Sequence, residues 1–297
     1  MKSVNDVSDR DQNTPMSLKH LLATVVDRLR AGGLPEPESD TWLLFSHVFH
    51  IDRTHYLLEQ QRAVTDEERT RMEAVVNTRL TRVPVQYITG EQNFYGLTFR
   101  VTPDVLIPRY DTEVLVDLVL KQAGDARSFL DLCTGSGCIA VSLMKFGNFS
   151  YGEATDISRA ALAVAADNAS RNGVSLKLSE GDLWEAVGDK TYDVIVSNPP
   201  YIAASERPSL MPEVAQYEPA LALFAENEGL VFYERIAREA CKHLNAGGRL
   251  FVEIGATQGE PVSQLFRQNG LEQVSIVQDL AGLSRVVTGR KPEPSEG

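Results

Sequence analysis

Hydrophobic side chains recur three or four positions apart over residues 17–83, which is the period of amphipathic helices. Three segments show this spacing, and they begin near Ser17, Pro35 and Thr65. Ser and Thr are common helix N-caps, and Glu68 lies where a capping box that starts at Thr65 requires an acid. The pattern predicts a small helical bundle over residues 17–83, preceded by a disordered lead-in over residues 1–16.

The pattern changes to alternation over residues 84–108, where Gly90 and Gly96 mark two expected turns. Alternating residues between glycine turns predict a β-hairpin. We therefore expect a hairpin connector over residues 84–108, followed by a helix that begins near Asp111.

After Ser128, short runs rich in β-branched residues alternate with helical segments. The predicted strands lie within residues 128–133, 151–157, 175–182, 192–198, 248–255 and 271–279. The predicted helices between them span residues 138–146, 158–172, 228–244 and 258–269. Repeated strand–helix units predict an α/β domain over residues 109–290, with a mostly parallel sheet covered on both faces. A last strand over residues 283–290 follows no crossover helix and should pair antiparallel. Residues 291–297 should form a loose tail.

Composition and charge narrow the choice of partners. The chain has 297 residues, of which 43% are hydrophobic, and its apolar runs are too short for a membrane span. Its net charge of −12 and its lack of a basic cluster disfavour duplex nucleic acid as a partner. The three cysteines lack C-x-x-C spacing and the N-terminus lacks an apolar export segment, which predicts a cytoplasmic protein. We expect a monomer that needs no metal.

A glycine turn and two acids follow successive predicted strands. Gly135 and Gly137 lie between a strand and a helix, where backbone N–H groups can approach a ligand closely. Asp156 ends the next strand about 20 residues later, where an acid can accept ribose hydroxyl hydrogens. Asp182 ends the strand after that, where an adenine amino group could bind. The alternative interpretation is a tight turn followed by two helix N-caps, which need no ligand.

Asp131 lies in an otherwise apolar strand just before the glycine turn. A carboxylate in that position needs a cationic or N–H partner. The sulfonium and amino-acid moiety of S-adenosyl-L-methionine would supply both, so this methyl donor is the predicted cofactor in preference to a dinucleotide.

The fourth predicted strand ends in Asn198, Pro199, Pro200 and Tyr201. The two prolines fix the backbone and carry no N–H group, so only carbonyls are available there. An Asn side-chain oxygen and the Pro199 carbonyl can together accept both hydrogens of one NH₂ group, while Tyr201 offers a face for stacking. This arrangement suits methylation of a planar nitrogen by positioning rather than by a strong base. The alternative is a turn that merely ends the strand.

The motifs "DLCTGSG", "DIS", "GDLW" and "SNPPY" resemble, in this order and spacing, the class I methyltransferases that modify planar nitrogens. The segment "PVQYITGEQNFYGLTFRVTPDVLIPRYDTE" resembles the connector of protein-(glutamine-N5) methyltransferases, and "YEPALALFAENEGLVFYERI" and "LSRVVTGR" resemble the same enzymes. The resemblance implies a Rossmann-like methyltransferase domain and, as substrate, the glutamine in the Gly-Gly-Gln loop of class I peptide-chain release factors. We expect the N-terminal helices to help recognise that partner.

Carried over residue by residue, the resemblance implies three sets of site residues. The methyl donor would lie against Asp131, Cys133, Thr134, Gly135, Ser136, Gly137, Asp156, Asp182, Leu183 and Asn198. The glutamine would lie against Asn198, Pro199, Pro200 and Tyr201, with Asn198 and its neighbours as the catalytic residues. Phe94 and the loop from Arg109 to Glu113 would border the pocket. The alternatives are a place in the hairpin core for Phe94 and a salt bridge within the connector for Arg109.

Two departures bear on the substrate. Tyr110 stands where the release-factor branch typically has Pro, and Cys133 stands where that branch more often has Gly and resembles the branch that methylates a ribosomal protein. A ribosomal-protein glutamine methyltransferase is therefore the second hypothesis. A nucleic-acid amino-group methyltransferase is a third, which the net charge disfavours. A cofactor-binding scaffold without activity is a fourth, which the intact Asn-Pro-Pro-Tyr motif opposes.

Overall fold

Helices make up the first of the two units into which the chain divides, with the boundary between Thr89 and Gly90. This computed structural model describes residues 16–294. The helices of the first unit are α1 (Leu18–Ala31), α2 (Pro37–Phe49), α3 (Arg53–Glu59), α4 (Asp66–Leu80) and α5 (Val85–Thr89). Ser17 caps α1, and Thr65 and Glu68 form the capping box of α4, as the sequence predicted.

The first unit has its own core, because the apolar faces of α1, α2 and α4 pack against one another around Leu29, Phe45 and Met72. A buried ion pair also joins two of these helices. Arg79 Nε donates to Asp40 Oδ2 at 2.8 Å, and both side chains are at most 10% exposed. A pair so enclosed fixes the register of α2 against α4, because removing one partner would leave a buried charge uncompensated.

Three details of the first unit differ from the predictions. Helix α3 was not predicted because it buries none of its residues and so has no apolar stripe; Asp52 starts it by accepting from the N–H of His55 at 2.8 Å. Helix α5 replaces the first part of the predicted hairpin connector, so only residues after Thr89 form the hairpin. Met16, expected in the lead-in, accepts a backbone bond from Val64 at 2.8 Å. The rest of the lead-in, residues 1–15, lies outside the described residues.

The second unit is built on strands. Its strands are β1 (Glu91–Phe94), β2 (Leu97–Arg100), β3 (Ser128–Leu132), β4 (Tyr151–Asp156), β5 (Lys177–Glu180), β6 (Tyr192–Ser197), β7 (Ile202–Ala203), β8 (Phe224–Ala225), β9 (Leu244–Glu253), β10 (Glu272–Gln278) and β11 (Ser284–Arg290). Strands β1 and β2 form the predicted hairpin. Within residues 90–294, seven strands form one sheet in the order β10-β11-β9-β6-β3-β4-β5. Strand β11 pairs antiparallel with both neighbours, which confirms the prediction for the last strand.

Helices cover both faces of this sheet. The helices that pack on its strands are α6 (Glu113–Gln122), α7 (Cys138–Phe146), α8 (Arg159–Arg171), α11 (Val231–His243) and α12 (Gly259–Gln268), while the short helices α9 (Pro212–Tyr217) and α10 (Ala220–Leu223) lie between β7 and β8 in the chain. Neighbouring residues of one strand belong to different cores: Phe129 packs in one cluster and Leu130 in the other. Successive side chains of a strand point to opposite faces, so the sheet is buried on both sides. This confirms the predicted α/β class, with a mostly parallel sheet covered on both faces.

The strand order reverses between β3 and β6, because the chain runs outward from β3 to β4 and β5 and then returns to the other side of β3. Ligands of open α/β sheets bind at the carboxyl ends of the strands at such a point. The glycine turn after β3 and the Asn-Pro-Pro-Tyr segment after β6 both lie there. Among residues 16–294, no helix has the length and apolarity to cross a bilayer.

Lys291, the first residue of the predicted loose tail, is bonded to β9. Lys291 donates its backbone N–H to Gly248 at 2.8 Å and its Nζ to the Leu244 carbonyl at 2.7 Å. These bonds extend the ordered chain past β11. Residues 295–297 lie outside the described part of the chain.

Candidate active site

A pocket of about 310 Å³ opens at the carboxyl ends of the central strands. Most of the predicted site residues line it: Arg109, Cys133, Thr134, Gly135, Ser136, Asp156, Asp182, Leu183, Asn198 and Pro200. Five predicted residues are not among its lining residues, namely Phe94, Asp131, Gly137, Pro199 and Tyr201. The glycine turn, the two acids and Asn198 therefore share one pocket, as the sequence analysis required of a single site.

The two glycines of the turn have different roles. Gly135 has φ +54°, and a Cβ built on it would meet no heavy atom within 4 Å, so the pocket runs up to its backbone. Gly137 has φ +78° and precedes α7, where a Cβ would lie 3.0 Å from the Cβ of Ala165. Gly135 thus leaves space for a ligand, whereas Gly137 lets α7 approach α8.

Asp156 does not cap the helix that follows it. Ser158 is the N-cap of α8, and Asp156 instead accepts the N–H of Gly135 at 2.8 Å and that of Ser158 at 2.9 Å. Burial raises the pKa of Asp156, and these N–H groups oppose the rise. The carboxylate thereby fixes the glycine turn against the end of β4 while it lines the pocket.

Asp182 precedes a 3₁₀ turn, Leu183–Ala186, but its side chain makes no capping bond. It forms an ion pair of 2.8 Å with Arg235 of α11, and both residues line the pocket. The N-cap interpretation is therefore wrong for the side chains of both acids.

Asp131 is fully buried behind the glycine turn. Its Oδ2 accepts the hydroxyl of Thr134 at 2.6 Å, while its Oδ1 has no hydrogen-bond partner among the described residues. Burial raises the pKa of Asp131 to about 7, against the lowering effects of the Thr134 hydroxyl and the backbone N–H of Ala140. A buried acceptor without a partner is costly, so the site is suited to an additional donor next to this strand end.

Cys133 and Leu183 both line the pocket in the left-handed backbone region, with φ of +60° and +52°. Such backbone costs free energy in residues other than glycine and is concentrated at functional sites. The conformation explains why a glycine suits position 133, and burial raises the pKa of the Cys133 thiol, which keeps it neutral.

Hydrogen bonds from residues outside the Asn-Pro-Pro-Tyr segment fix its position. Asn198 donates its Nδ2 to the hydroxyl of Thr112 at 3.3 Å, and the Tyr201 carbonyl accepts from Gln258 Nε2 at 3.1 Å. A Cβ on Gly229 would lie 2.0 Å from that carbonyl, so only glycine fits there. The Tyr201 ring packs against the core beside β6, and burial raises its pKa to about 12.

Two bordering residues differ from the expectation. Phe94 is 1% exposed and packs with Phe99 in the core, so it occupies the hairpin core rather than the pocket. Arg109 lines the pocket and also forms an ion pair with Glu218, which is buried and also accepts the N–H of Ile107 at 3.3 Å. The partner of Arg109 therefore comes from the segment before α10, not from the connector.

Thr112 belongs to the predicted loop from Arg109 to Glu113 and lines the pocket, but sequence reasoning missed four residues that build the site: Glu218, Arg235, Glu253 and Gln258. Glu253 carried a usable signal, since it is an acid at the end of an apolar strand, as Asp131 and Asp156 are. The others carry no local signal, because each acts through a partner far away in the chain. Among residues 16–294, no group of three or more His, Cys, Asp or Glu side chains could hold a metal ion.

Two family models match the chain. The PrmC N-terminal domain matches residues 20–90, and the methyltransferase small domain matches residues 110–216. The chain is also 45% identical over 273 residues to a release factor glutamine methyltransferase of Cereibacter sphaeroides, covering 91% of this chain and 97% of that protein. A protein of the same name from Geobacter sulfurreducens is 42% identical over 87% of this chain and 91% of its own length.

Solved structures agree on the fold. A methyltransferase from Pyrococcus furiosus superimposes with a TM-score of 0.54 at 20% identity, over 73% of this chain and 99% of that one. The 16S rRNA N2 G1207 methyltransferase of T. thermophilus, solved with AdoMet and guanosine, gives a TM-score of 0.51 at 16% identity, over 68% of this chain and 49% of that one. At these identities the similarity shows a shared fold only.

Proposed function

This chain belongs to the release factor glutamine methyltransferase family, and from that membership we propose its reaction. It transfers a methyl group from S-adenosyl-L-methionine to the side-chain amide nitrogen of the glutamine in the Gly-Gly-Gln loop of class I peptide-chain release factors. The observation that carries the proposal is the position of Asn198, which lines one pocket together with Gly135 and Asp156.

The residues of the pocket fit the methyl donor. The space above Gly135 admits a ligand against the backbone, and Asp156 and Asp182 offer acceptors at two strand ends for hydroxyl and amino groups. The Oδ1 of Asp131 has no hydrogen-bond partner in the described part of the chain, so it suits an ammonium group near the turn. When bound, S-adenosylmethionine supplies a methyl group on a positively charged sulfur, which is already activated for transfer.

The residues of the Asn-Pro-Pro-Tyr segment orient the acceptor amide. An amide nitrogen is a weak nucleophile, because its lone pair is delocalised into the carbonyl. The Asn198 Nδ2 is engaged by Thr112, so its Oδ1 is the end that remains for a substrate N–H. Together with the Pro199 carbonyl it can accept both hydrogens of the glutamine NH₂ group, which favours a pyramidal nitrogen. The contribution is positioning and fixed dipoles, so no strong base is required.

The names of the relatives favour the release factor over the ribosomal protein as substrate. The identity to them extends over most of the chain, whereas the resemblance to the ribosomal-protein branch rests on Cys133 alone. The proposal also includes a cytoplasmic location and action as a monomer, since the reaction concerns translation termination and one chain supplies every residue of the pocket.

The test is transfer of a radiolabelled methyl group from S-adenosylmethionine to a purified release factor. We expect labelling of the wild-type release factor and none of a variant in which alanine replaces the loop glutamine. Asn198→Ala should lower kcat by roughly 100-fold or more, while the exposed control Asn148→Ala keeps full activity. Labelling of the ribosomal protein instead would favour the second hypothesis, and near-full activity of Asn198→Ala would refute the role given to Asn198.

A further inference from the structure

Glu253 is a buried carboxylate that the proposed reaction leaves without a role. It ends β9 and is 1% exposed, and its Oε2 has no hydrogen-bond partner among the described residues. Ser197 pairs with Val252 in the sheet, so Asn198 and Glu253 are the next residues of two adjacent parallel strands. Their side chains therefore meet at the same end of the sheet, beside the pocket.

Thr112 lines the pocket beside Asn198 and contacts it. It is 2% exposed, and its hydroxyl oxygen accepts the Asn198 Nδ2 at 3.3 Å. Glu253 directly follows Val252, the register partner of Ser197, and Thr112 and Asn198 both lower the pKa of its carboxyl group. The three polar groups form one buried cluster that contacts the pocket at Thr112 and Asn198.

The polarity of this cluster follows from its members. An ionised carboxylate only accepts hydrogen bonds, whereas a hydroxyl donates one and accepts others. Because the Thr112 oxygen accepts from Asn198, its own hydrogen is available for the Glu253 carboxylate, whose pKa Thr112 lowers. The two ends of an amide have nearly the same shape, so only its hydrogen bonds decide which end faces a ligand.

We propose that Glu253 is a positioning residue which, through Thr112, turns the amide oxygen of Asn198 toward the substrate and keeps its nitrogen away. The inference rests on the proposed function and adds to it the group that fixes the orientation of the acceptor. With the opposite orientation, an N–H of Asn198 would face the NH₂ group of the substrate glutamine, and two donors would meet. The cluster thus decides whether the site accepts or repels an amide nitrogen.

The charge state of Glu253 controls this polarity. Burial raises its pKa to about 7, Thr112, Arg285 and Asn198 lower it, and Asp111 raises it. The titratable groups that interact electrostatically with it from the surrounding elements are Asp111, Cys138, Tyr201, Tyr233 and Arg285. Below that pKa the Glu253 carboxyl is protonated and can donate a hydrogen bond, so it no longer fixes the direction of the Thr112 hydroxyl. The turnover rate should therefore fall as the pH drops through about 7.

The experiment measures kcat, KM and donor affinity for variants of the full chain with a release factor as substrate. Thr112→Val keeps the shape of the side chain and removes the relay, and we expect kcat to fall by roughly 30- to 100-fold with the Kd for S-adenosylmethionine unchanged. Thr112→Ser restores the hydroxyl and should recover most of the lost kcat. Thr288→Val is the matched control, because Thr288 is equally buried and without a hydrogen-bond partner for its hydroxyl among the described residues, but lies on β11 outside the pocket.

Glu253→Gln supplies two further readouts. Its kcat should also fall, and the decline of kcat/KM below pH about 7 should be absent from its profile. The double variant Glu253→Gln, Thr112→Val should lose no more activity than the more damaging single variant, because both act through the same amide. Full kcat in Thr112→Val, additive losses in the double variant, or a pH decline that persists in Glu253→Gln would each overturn the inference. Wild-type activity on the release factor with any of these results leaves the proposed function intact, whereas no wild-type activity refutes that function instead.

Discussion

At the scale of single residues, Gly135 and Gly173 offer a controlled comparison. Both have positive φ, +54° and +68°, and a Cβ on either would meet no heavy atom within 4 Å. Only Gly135 lines the pocket, while Gly173 follows α8 on the protein surface. Any difference between alanine substitutions at these positions therefore reports on the ligand rather than on the backbone.

We expect Gly135→Ala and Gly173→Ala to destabilise the fold equally, by about 1 kcal/mol each, because alanine is strained in the left-handed region. Gly135→Ala should also raise the Kd for S-adenosylmethionine by roughly tenfold or more, since its methyl group occupies space a ligand needs. Urea unfolding measures the first effect and calorimetric titration the second. Equal donor affinities in the two variants would mean that the donor does not approach the Gly135 backbone.

At the scale of elements, Asp193 ties the starts of the central strands together. From β6 it accepts the N–H of Arg127 at 2.8 Å and the N–H and hydroxyl of Ser128 at 3.0 Å each, which fixes the start of β3. Asn245 of β9 donates to it at 2.7 Å. One carboxylate thus holds three strands in register at the end of the sheet opposite to the pocket.

Because of these hydrogen bonds, the free energy of unfolding should depend on pH in the acid range. Burial alone would raise the pKa of Asp193, but the donors outweigh it and hold the pKa below the ordinary 3.8. A depressed pKa means that the stabilisation is complete above the unfolded-state value and is lost as the pH falls through the folded-state value. We expect Asp193→Asn to cost about 2 kcal/mol at pH 7 and to flatten the decline of the free energy of unfolding below pH about 4.

Denaturant titrations at several pH values measure this dependence. Asp125→Asn changes the net charge by the same amount at an exposed position and should leave both the stability and its pH profile unchanged. An acid decline that is as steep in Asp193→Asn as in the wild type would show that other carboxylates dominate the acid sensitivity.

At the scale of the whole molecule, the pocket belongs to the second unit alone. Every residue that lines the pocket lies between Pro103 and Arg235, within the second unit. The first unit has a core of its own, and none of its described residues lines the pocket. This division supports our proposal that the N-terminal helices serve recognition of the protein substrate.

A chain of residues 90–297 should therefore bind S-adenosylmethionine within about twofold of the affinity of the full chain, because distant sites contribute independently. Its kcat/KM on a release factor should fall much further, roughly 100-fold, if the helices supply binding energy for that partner. Calorimetry and the methyl-transfer assay give the two numbers, and circular dichroism confirms folding. Unchanged kcat/KM would remove the helices from substrate recognition.

Features that depend on neighbours in the chain could be predicted from the amino-acid sequence alone. Helical and strand periods are local, so they predicted the helical unit, the strand–helix alternation and the antiparallel last strand. Acids and glycines at the ends of strands are local as well, and they indicated Gly135, Asp156, Asp182 and Asn198 as members of one site. The structure places these four residues in one pocket, because parallel strands in such a fold bring their carboxyl ends together.

Contacts between side chains that are distant in the chain depend instead on the three-dimensional fold. Arg109 finds Glu218 more than a hundred positions later, Phe94 enters the core instead of the pocket, and Thr112 reaches Asn198 from a turn before α6. Periodicity carries no information about such pairs, because their distances depend on the order of strands and the packing of helices over them. For the same reason, the sequence does not reveal that Glu253 lies beside Asn198. The two residues become neighbours only because β6 and β9 pair in the folded sheet.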